Sequence, residues 1–348
     1  MKKIFLTVTL LLIFGSMLPS SGCDSGVEEP QTAADFYEGK TINLIVSSSA
    51  GSTSDLCARV IASYLERDTG AGVLVTNEPG AGGLDGMNHL YRGETDGLML
   101  GVVSSVKLVS NIVLDEPAAV YELEEFSYLL NIGGSPYLFV VSPEGNYRTL
   151  DDILACEGCL IGGASPAGPL SLGGLTAIEI LDIDAKVITG ITTITDLPIM
   201  TKRGEIIGYF FATVPSQKSY LDSGMIEPVF VLSTERDPLM PGTPAITELV
   251  SLSDEDLELV ELWAEEMAQS YILAAPPGVP ADRMEFLNGL VEGWTEDEEF
   301  RNDIDVVMGY EEVEYEIGDV IARDMQDLAE SLDDYRARFT EMIEKYRI

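Results

Sequence analysis

The chain has one histidine, His89, and only 20 basic residues against 59 acidic ones. Each scarcity removes a class of function. A serine hydrolase needs a His placed to take the nucleophile's proton, and His89 stands alone in a helix-periodic stretch, where it reads as a bystander. The nucleophile elbow Gly-x-Ser-x-Gly is also missing, because Gly163-Ala164-Ser165-Pro166-Ala167 lacks the last glycine. No Gly-x-x-x-x-Gly-Lys-Ser/Thr loop cradles a nucleotide phosphate, and no Asp-x-Asp-x-Asp-Gly loop holds calcium. With one His and no second cysteine pair, zinc has no ligand set. The expectation is therefore no catalytic residue, no metal and no cofactor. A net charge of −39 repels nucleic acid and anionic lipid. It does not require a cationic ligand, since salt screens exposed charges beyond about 10 Å at 0.1 M. The acidic runs at Asp254-Glu255-Asp256, Glu265-Glu266, Glu296-Asp297-Glu298-Glu299 and Glu311-Glu312 read as a solvated face suited to high salt or alkaline surroundings.

Long apolar runs are missing as well. The apolar segment Ile4–Phe14 follows Lys2 and Lys3, is too short to cross a bilayer, and leads through small residues to Cys23. A basic start, a short apolar centre and a small-residue end make an export signal over residues 1–22. Ser20-Ser21-Gly22-Cys23 resembles a bacterial lipoprotein cleavage site, which implies diacylation of Cys23. Asp24 resembles the signal that retains lipoproteins on the inner membrane. Residues 23–35 read as a lipid-anchored polar tether, placing the protein on the extracytoplasmic face of the cell membrane. No later run of eighteen uncharged apolar residues suggests a second anchor. Of the other cysteines, Cys57 falls in a helical segment and reads as a small buried apolar residue. Cys156-Glu157-Gly158-Cys159 follows the helical Leu150–Ala155 rather than opening a helix after a strand. That context favours a local disulfide over a redox site.

At 46% apolar and 23% charged over 348 residues, the chain is globular and long enough for two domains. Strand-like runs alternate with helix-periodic ones, which argues an α/β fold. The strands expected are Ile42–Val46, Val73–Val75, Leu98–Val103, Tyr137–Val141, Leu160–Gly162, Lys186–Ile188, Gly208–Phe211 and Val229–Leu232. Helices are expected at Ser54–Arg67, Gly86–Tyr91, Thr149–Ala155, Ser171–Leu181, Ile194–Lys202, Gln217–Ser223, Asp254–Met267, Ala281–Thr295 and Glu296–Val307. A long final helix, Ile317–Arg347, carries an apolar stripe of Ile321, Met325, Leu328, Leu332, Tyr335 and Phe339. Turn-rich seams at Gly133–Pro136 and Asp237–Gly242 divide the chain into a discontinuous lobe, 36–136 with 236–348, and a second lobe, 137–235.

The stretch Lys40–Gly101 holds the chemistry. The run Thr41–Val46 enters a loop of small polar residues, Ser47-Ser48-Ser49-Ala50-Gly51-Ser52-Thr53-Ser54-Asp55, ahead of a helix. A helix start leaves backbone N–H groups without partners and carries partial positive charge. Small hydroxyl residues let an anion come close and add donors, so a carboxylate could sit there without Lys or Arg. The plainer alternative is that Ser52, Thr53 or Ser54 only caps the helix.

Several ordered motifs carry a family resemblance. Val75-Thr76-Asn77-Glu78-Pro79-Gly80-Ala81-Gly82-Gly83-Leu84-Asp85-Gly86 closely matches Val-x-Asn-x-Pro-Gly-Ala-Gly-Gly-x-x-Gly. Asp96-Gly97-Leu98, Ser233-Thr234-Glu235-Arg236, Pro241-Gly242-Thr243-Pro244 and Ala275-Pro276-Pro277-Gly278-Val279-Pro280 follow in the same order. The sequence resembles the substrate-binding proteins of tripartite tricarboxylate transporters, the Bug receptors. That implies a two-lobed periplasmic binding protein type 2 fold, with mixed sheets flanked by helices and a ligand cleft between the lobes. It also implies a small organic acid as ligand, captured by hinge closure, and integral membrane transporter subunits as partners. The only membrane contact expected is through the N-terminal lipid, and the receptor is expected to be a monomer that binds no nucleic acid.

On this reading Ser49, Gly51, Ser52, Thr53 and Ser54 hold one carboxylate at the first helix. Ser165 and Gly168 face it from the second lobe. Asp55 locks the loop or touches the ligand, and Asn77 braces the turn Gly80–Gly83. Ser104, Thr189, Gly190 and Thr213 are strand-end candidates. The chain departs from the family where Pro-Phe becomes Ser47-Ser48, where the second loop glycine becomes Ser52, and where a His-Leu pair is absent after Gly168. Those departures put the ligand's identity in doubt. A receptor for an amino acid or another non-carboxylate solute is the alternative, and a Ser-dependent hydrolase a more distant one.

Overall fold

In a computed structural model the described residues are 32–348, apart from 114, 135–136, 164–167, 192–193, 212–213, 269 and 310–312. The export segment, Cys23 and most of the tether lie outside them, as do Ser165 and Thr213. After α1 (Ala33–Tyr37) come β1 (Thr41–Val46), α2 (Thr53–Thr69), β2 (Gly72–Asn77), α3 (Leu84–Tyr91), β3 (Met99–Ser104), α4 (Ser105–Val113) and β4 (Ser127–Ile132). The middle of the chain forms β5 (Leu138–Val141), α5 (Leu150–Leu154), β6 (Glu157–Gly162), α6 (Pro169–Leu181), β7 (Asp184–Ile188), α7 (Leu197–Arg203), β8 (Gly208–Phe211), α8 (Val214–Asp222) and β9 (Glu227–Val231). The remainder forms α9 (Ile246–Leu249), α10 (Asp254–Ala268), β10 (Tyr271–Ala275), α11 (Ala281–Glu296), α12 (Glu298–Met308), β11 (Tyr315–Ile317) and α13 (Asp319–Tyr346).

Two mixed sheets result. The first has six strands in the order β11-β4-β10-β3-β1-β2, and the second five in the order β7-β6-β8-β5-β9. β1, β2 and β3 run parallel, while β10 enters antiparallel between β3 and β4. In the second sheet β6, β7 and β8 are parallel and β5 is antiparallel to β8 and β9. The chain thus leaves the first sheet after β4 and returns to it with β10. Strand β1 reads as a continuous apolar run because it is covered on both faces, and Ile42, Leu44, Ile45 and Val46 are all buried.

Helix α2 shows how sequence sets these elements. Ser52 caps its start, and Gly70 ends it in the left-handed region at φ 68°, donating its N–H to Glu66 O. Between the caps, Cys57, Ala58, Ile61 and Leu65 recur at spacings of three or four and are buried against the sheet. One apolar cluster is confined to the first sheet around α2, α11 and α12. The other is continuous from Met87, Val103 and Leu108 through Phe139, Ile161 and Phe210 of the second sheet to Ile321, Met325 and Phe339 of α13. Helix α13 carries the expected stripe with Leu328 and Tyr335 half-buried, and the Leu332 side chain lies outside the description.

Six elements depart from the sequence expectation: α1, α4, β4, α9, β10 and β11 have no counterpart in it. The final helix starts at Asp319 because Tyr315–Ile317 first pairs with β4 as β11.

Candidate functional site

The three parallel strands of the first sheet end side by side, for Val46 is in register with both Asn77 and Val102. Each runs into a helix, so the loop 47–52, the turn 78–83 and the Ser104-Ser105 step share one edge. In open α/β sheets this carboxyl edge is where ligands settle.

The first loop is tied down by its own polar groups. Ser52 accepts from Asp55 N–H at 3.3 Å and donates its own N–H to Ser49 O at 3.1 Å. Gly51 adopts φ 79°, a left-handed value that favours glycine, and this turns its N–H onto Asp55 Oδ2 at 2.8 Å. The Asp55 side chain is 2% exposed and also accepts from Arg59 Nε and Nη2, at 3.1 and 3.0 Å, and from Asn77 Nδ2 at 3.0 Å. Burial pushes its carboxyl up, but the hydrogen bonds from Arg59, Gly51 and Asn77 outweigh this and hold it below the usual carboxylate range. Asp55 is therefore saturated by the loop, α2 and β2 together. Asn77 is a correction to the sequence reading: it braces the first loop, donating also to Ser48 O at 3.1 Å, and not the glycine turn.

What is left over defines the binding capacity. Leu56 N–H returns to Ser52 O at 2.9 Å, and Asp55 N–H is capped. The N–H groups of Thr53 and Ser54 meet no acceptor among the described residues. These two amides open α2, where the helix dipole favours an anion. Ser49 and Gly51 stand exposed beside them, Thr53 is half-buried, and Ser54 is buried. Ser52 serves the loop itself, with its N–H spent on Ser49 O.

Behind this loop lies the turn Gly80–Gly83. Gly83 has φ 103°, and a Cβ there would lie 2.3 Å from Ser47 O, so the two loops touch backbone to backbone. Replacing Gly83 by Ala is expected to destabilise the protein by roughly 1–3 kcal/mol, the usual cost of one strained backbone site. Urea unfolding at equilibrium measures it, and an unchanged midpoint would show that the close approach is dispensable.

Lys107, in the first turn of α4, was absent from the sequence reading. Its Nζ donates to Ser47 O at 3.2 Å and to Ser48 Oγ at 3.1 Å. Ser48 Oγ in turn donates to Ser54 Oγ at 3.4 Å. Burial holds the Lys107 ammonium below the usual lysine range. Its only sequence signal was a scarce cation just past a strand end.

The remaining candidates separate. Ser104 is half-buried at the end of β3, opposite Tyr271. Gly168 belongs to the second sheet, where it caps α6 at φ −76° and ψ 155°, and Pro169 follows as the first helical residue. Gly190 is exposed at φ 86° in the loop after β7. Thr189 beside it donates its N–H and Oγ1 to Ile348 O, at 3.1 and 3.4 Å. Cys156 and Cys159 are a second correction, being free buried thiols and not a disulfide. Cys159 is built into β6, while Cys156 ends the α5 turn with its Sγ 3.7 Å from Asp184 O. Burial pushes the Cys156 thiol up to about 12. His89 is exposed on α3, with Nδ1 2.9 Å from Glu78 Oε1, and hydrogen-bonds no serine among the described residues.

Two α/β sheets, each gathering helix starts at the carboxyl edge of its parallel strands, define a two-lobed solute-binding protein. Solved structures share this fold. The periplasmic binding protein BugD superposes with a TM-score of 0.67 at 16% identity, over 90% of this chain and 100% of that one. MatC from Rhodopseudomonas palustris, solved with bound malate, gives 0.64 at 17% identity over 87% and 99%. Protein BugT of Bordetella pertussis is 25% identical over 248 residues, 69% of this chain and 73% of BugT. Residues 57–275 match the tripartite tricarboxylate transporter family receptor, and the chain belongs to that family. It is accordingly a solute-binding receptor, not an enzyme.

Proposed function

We propose that this receptor works outside the cytoplasmic membrane, tethered by a lipid on Cys23. It captures a small di- or tricarboxylate and delivers it to a membrane transporter of the tripartite tricarboxylate type. The lobes are residues 36–136 with 236–348 and residues 137–235, and they close on the ligand by a hinge. The observation that carries the ligand class is the pair of open amides at Thr53 and Ser54, on the dipole-positive end of a 17-residue helix. Two N–H groups at such an end suit the two oxygens of a carboxylate. Gly168, at the start of α6, supplies the facing helix end. The malate held by MatC is consistent with this class.

A thermal-shift screen tests the reading. A bound solute raises apparent stability by RT ln(1 + [L]/Kd), about 2.7 kcal/mol at a hundredfold excess over Kd. Malate, citrate and adipate are expected to include at least one acid that raises the melting temperature. Stabilisation by amino acids or cationic solutes, with none by any carboxylate, would overturn it.

A further inference from the structure

Lys107 is one of 20 cations in a chain with 59 acids, yet no carboxylate among the described residues pairs with it. An ammonium has three N–H donors and no acceptor. Two go to Ser47 O and Ser48 Oγ, leaving one donor and a charge that no carboxylate answers in a half-buried position. Withdrawing a charge from water is costly unless something answers it. The fold also makes room for this one: a Cβ at Gly83 would come within 3.4 Å of Nζ.

The ammonium gives direction to the hydroxyls next to it. Because it can only donate, Ser48 Oγ must accept from it, and Ser48 passes its own O–H to Ser54 Oγ. Ser54 then has its hydroxyl proton free, on the same helical turn as the open Thr53 and Ser54 amides. Chains of hydrogen bonds polarise one another in a low-dielectric interior. Every donor in this relay points away from Lys107 toward the α2 start. The relay depends on Ser48.

We propose that Lys107 is a specificity-determining residue of this receptor: acting through Ser48 and Ser54, it makes the α2 site select a fully charged carboxylate over a neutral isostere. The inference rests on the carboxylate reading above and goes further, because it assigns the discrimination to one side chain that need not touch the solute. A purely structural Lys107 would brace the first loop and affect all ligands equally.

Calorimetric titration of the purified protein with malate and adipate, each paired with its diamide, separates the two roles. Wild type is expected to prefer at least one acid over its amide by about tenfold or more, as charge-assisted hydrogen bonds outweigh neutral ones. Lys107→Met should collapse that ratio toward one by weakening the acid alone, and Lys107→Arg should keep most of it. Ser48→Ala keeps the cation and cuts the relay, so it should lower the ratio even if Lys107→Met fails to fold. An equal loss for acid and amide, or an unchanged ratio in Ser48→Ala, overturns the proposal while leaving the carboxylate reading in place. If wild type binds neither acid, the carboxylate reading falls first and takes this one with it.

Discussion

Thr53→Pro is expected to lower carboxylate affinity by about 10- to 100-fold, the range set by losing one hydrogen bond to a charged acceptor. The substitution is unusually clean. Thr53 is the first residue of α2, where proline is favoured because its missing N–H has no intrahelical partner. Ser52 before it is extended, at φ −73° and ψ 163°, as a residue preceding proline should be. The helix should therefore form unchanged, with melting behaviour close to wild type, while one of the two open amides disappears. Thr53→Ala retains the N–H and isolates the hydroxyl, and it should bind nearly as well as wild type. Titration with the acid that most stabilises wild type gives the comparison. Equal affinity in the proline variant would remove the α2 start from the site.

Asp55→Ala should carry the largest stability cost in the loop, about 2–3 kcal/mol for hydrogen bonds made to a charged group. Gly51 N–H and the Asn77 amide lose their acceptor, while Arg59, half in solvent, can hydrate. Solute affinity should fall as well, since the loop that presents the amides is then free to open. Asp55→Asn should cost less, because one oxygen survives. The pH dependence has a definite sign. The folded Asp55 pKa lies below its ordinary 3.8, so its contribution is complete above that value and fades as acid carries the pH down through the folded pKa. Acid unfolding of Asp55→Asn should lack this component. A wild-type acid profile matched by the variant would show that the carboxylate is not what locks the loop.

The sequence reading reached every strand of the second sheet and the three parallel strands of the first, and missed β4, β10 and β11, the antiparallel half of the first. β1, β2 and β3 each follow or precede a helix of strong period, so local pattern finds them. β10, Tyr271-Ile272-Leu273-Ala274-Ala275, includes two alanines of low strand preference and becomes a strand only by inserting between β3 and β4. β11 has three residues and borrows its pairing wholly from β4. Helix α4, Ser105-Val106-Lys107-Leu108-Val109, is rich in β-branched residues and looks like a continuation of the strand before it. The site divides in the same way. The polar loop 47–55 was legible because its residue types state their chemistry locally. Lys107 and the true partner of Asn77 were not, because both meet Ser48 across 59 and 29 residues of chain. The bond from Thr189 to Ile348 O is hidden for the same reason, the two lying 159 positions apart.

Helix α13 has a consequence for how the molecule comes apart. One face of this 28-residue helix lies in the apolar cluster that the two sheets share, and its last turn is fastened to α6 by Tyr346 and Lys345, both on Glu179. Arg338 on the same helix holds Asp256 of α10 at 2.5 Å. One apolar cluster belongs to the first sheet alone, but the other runs through both sheets and α13, so parting the halves would bare the α13 stripe. Folding of the two halves is thus expected to be a single cooperative event, with coincident urea transitions for probes in either sheet, although the chain between β4 and β10 has the length of an independent domain. Damage to α6 will register as lost protection in β4 as readily as in its own neighbours.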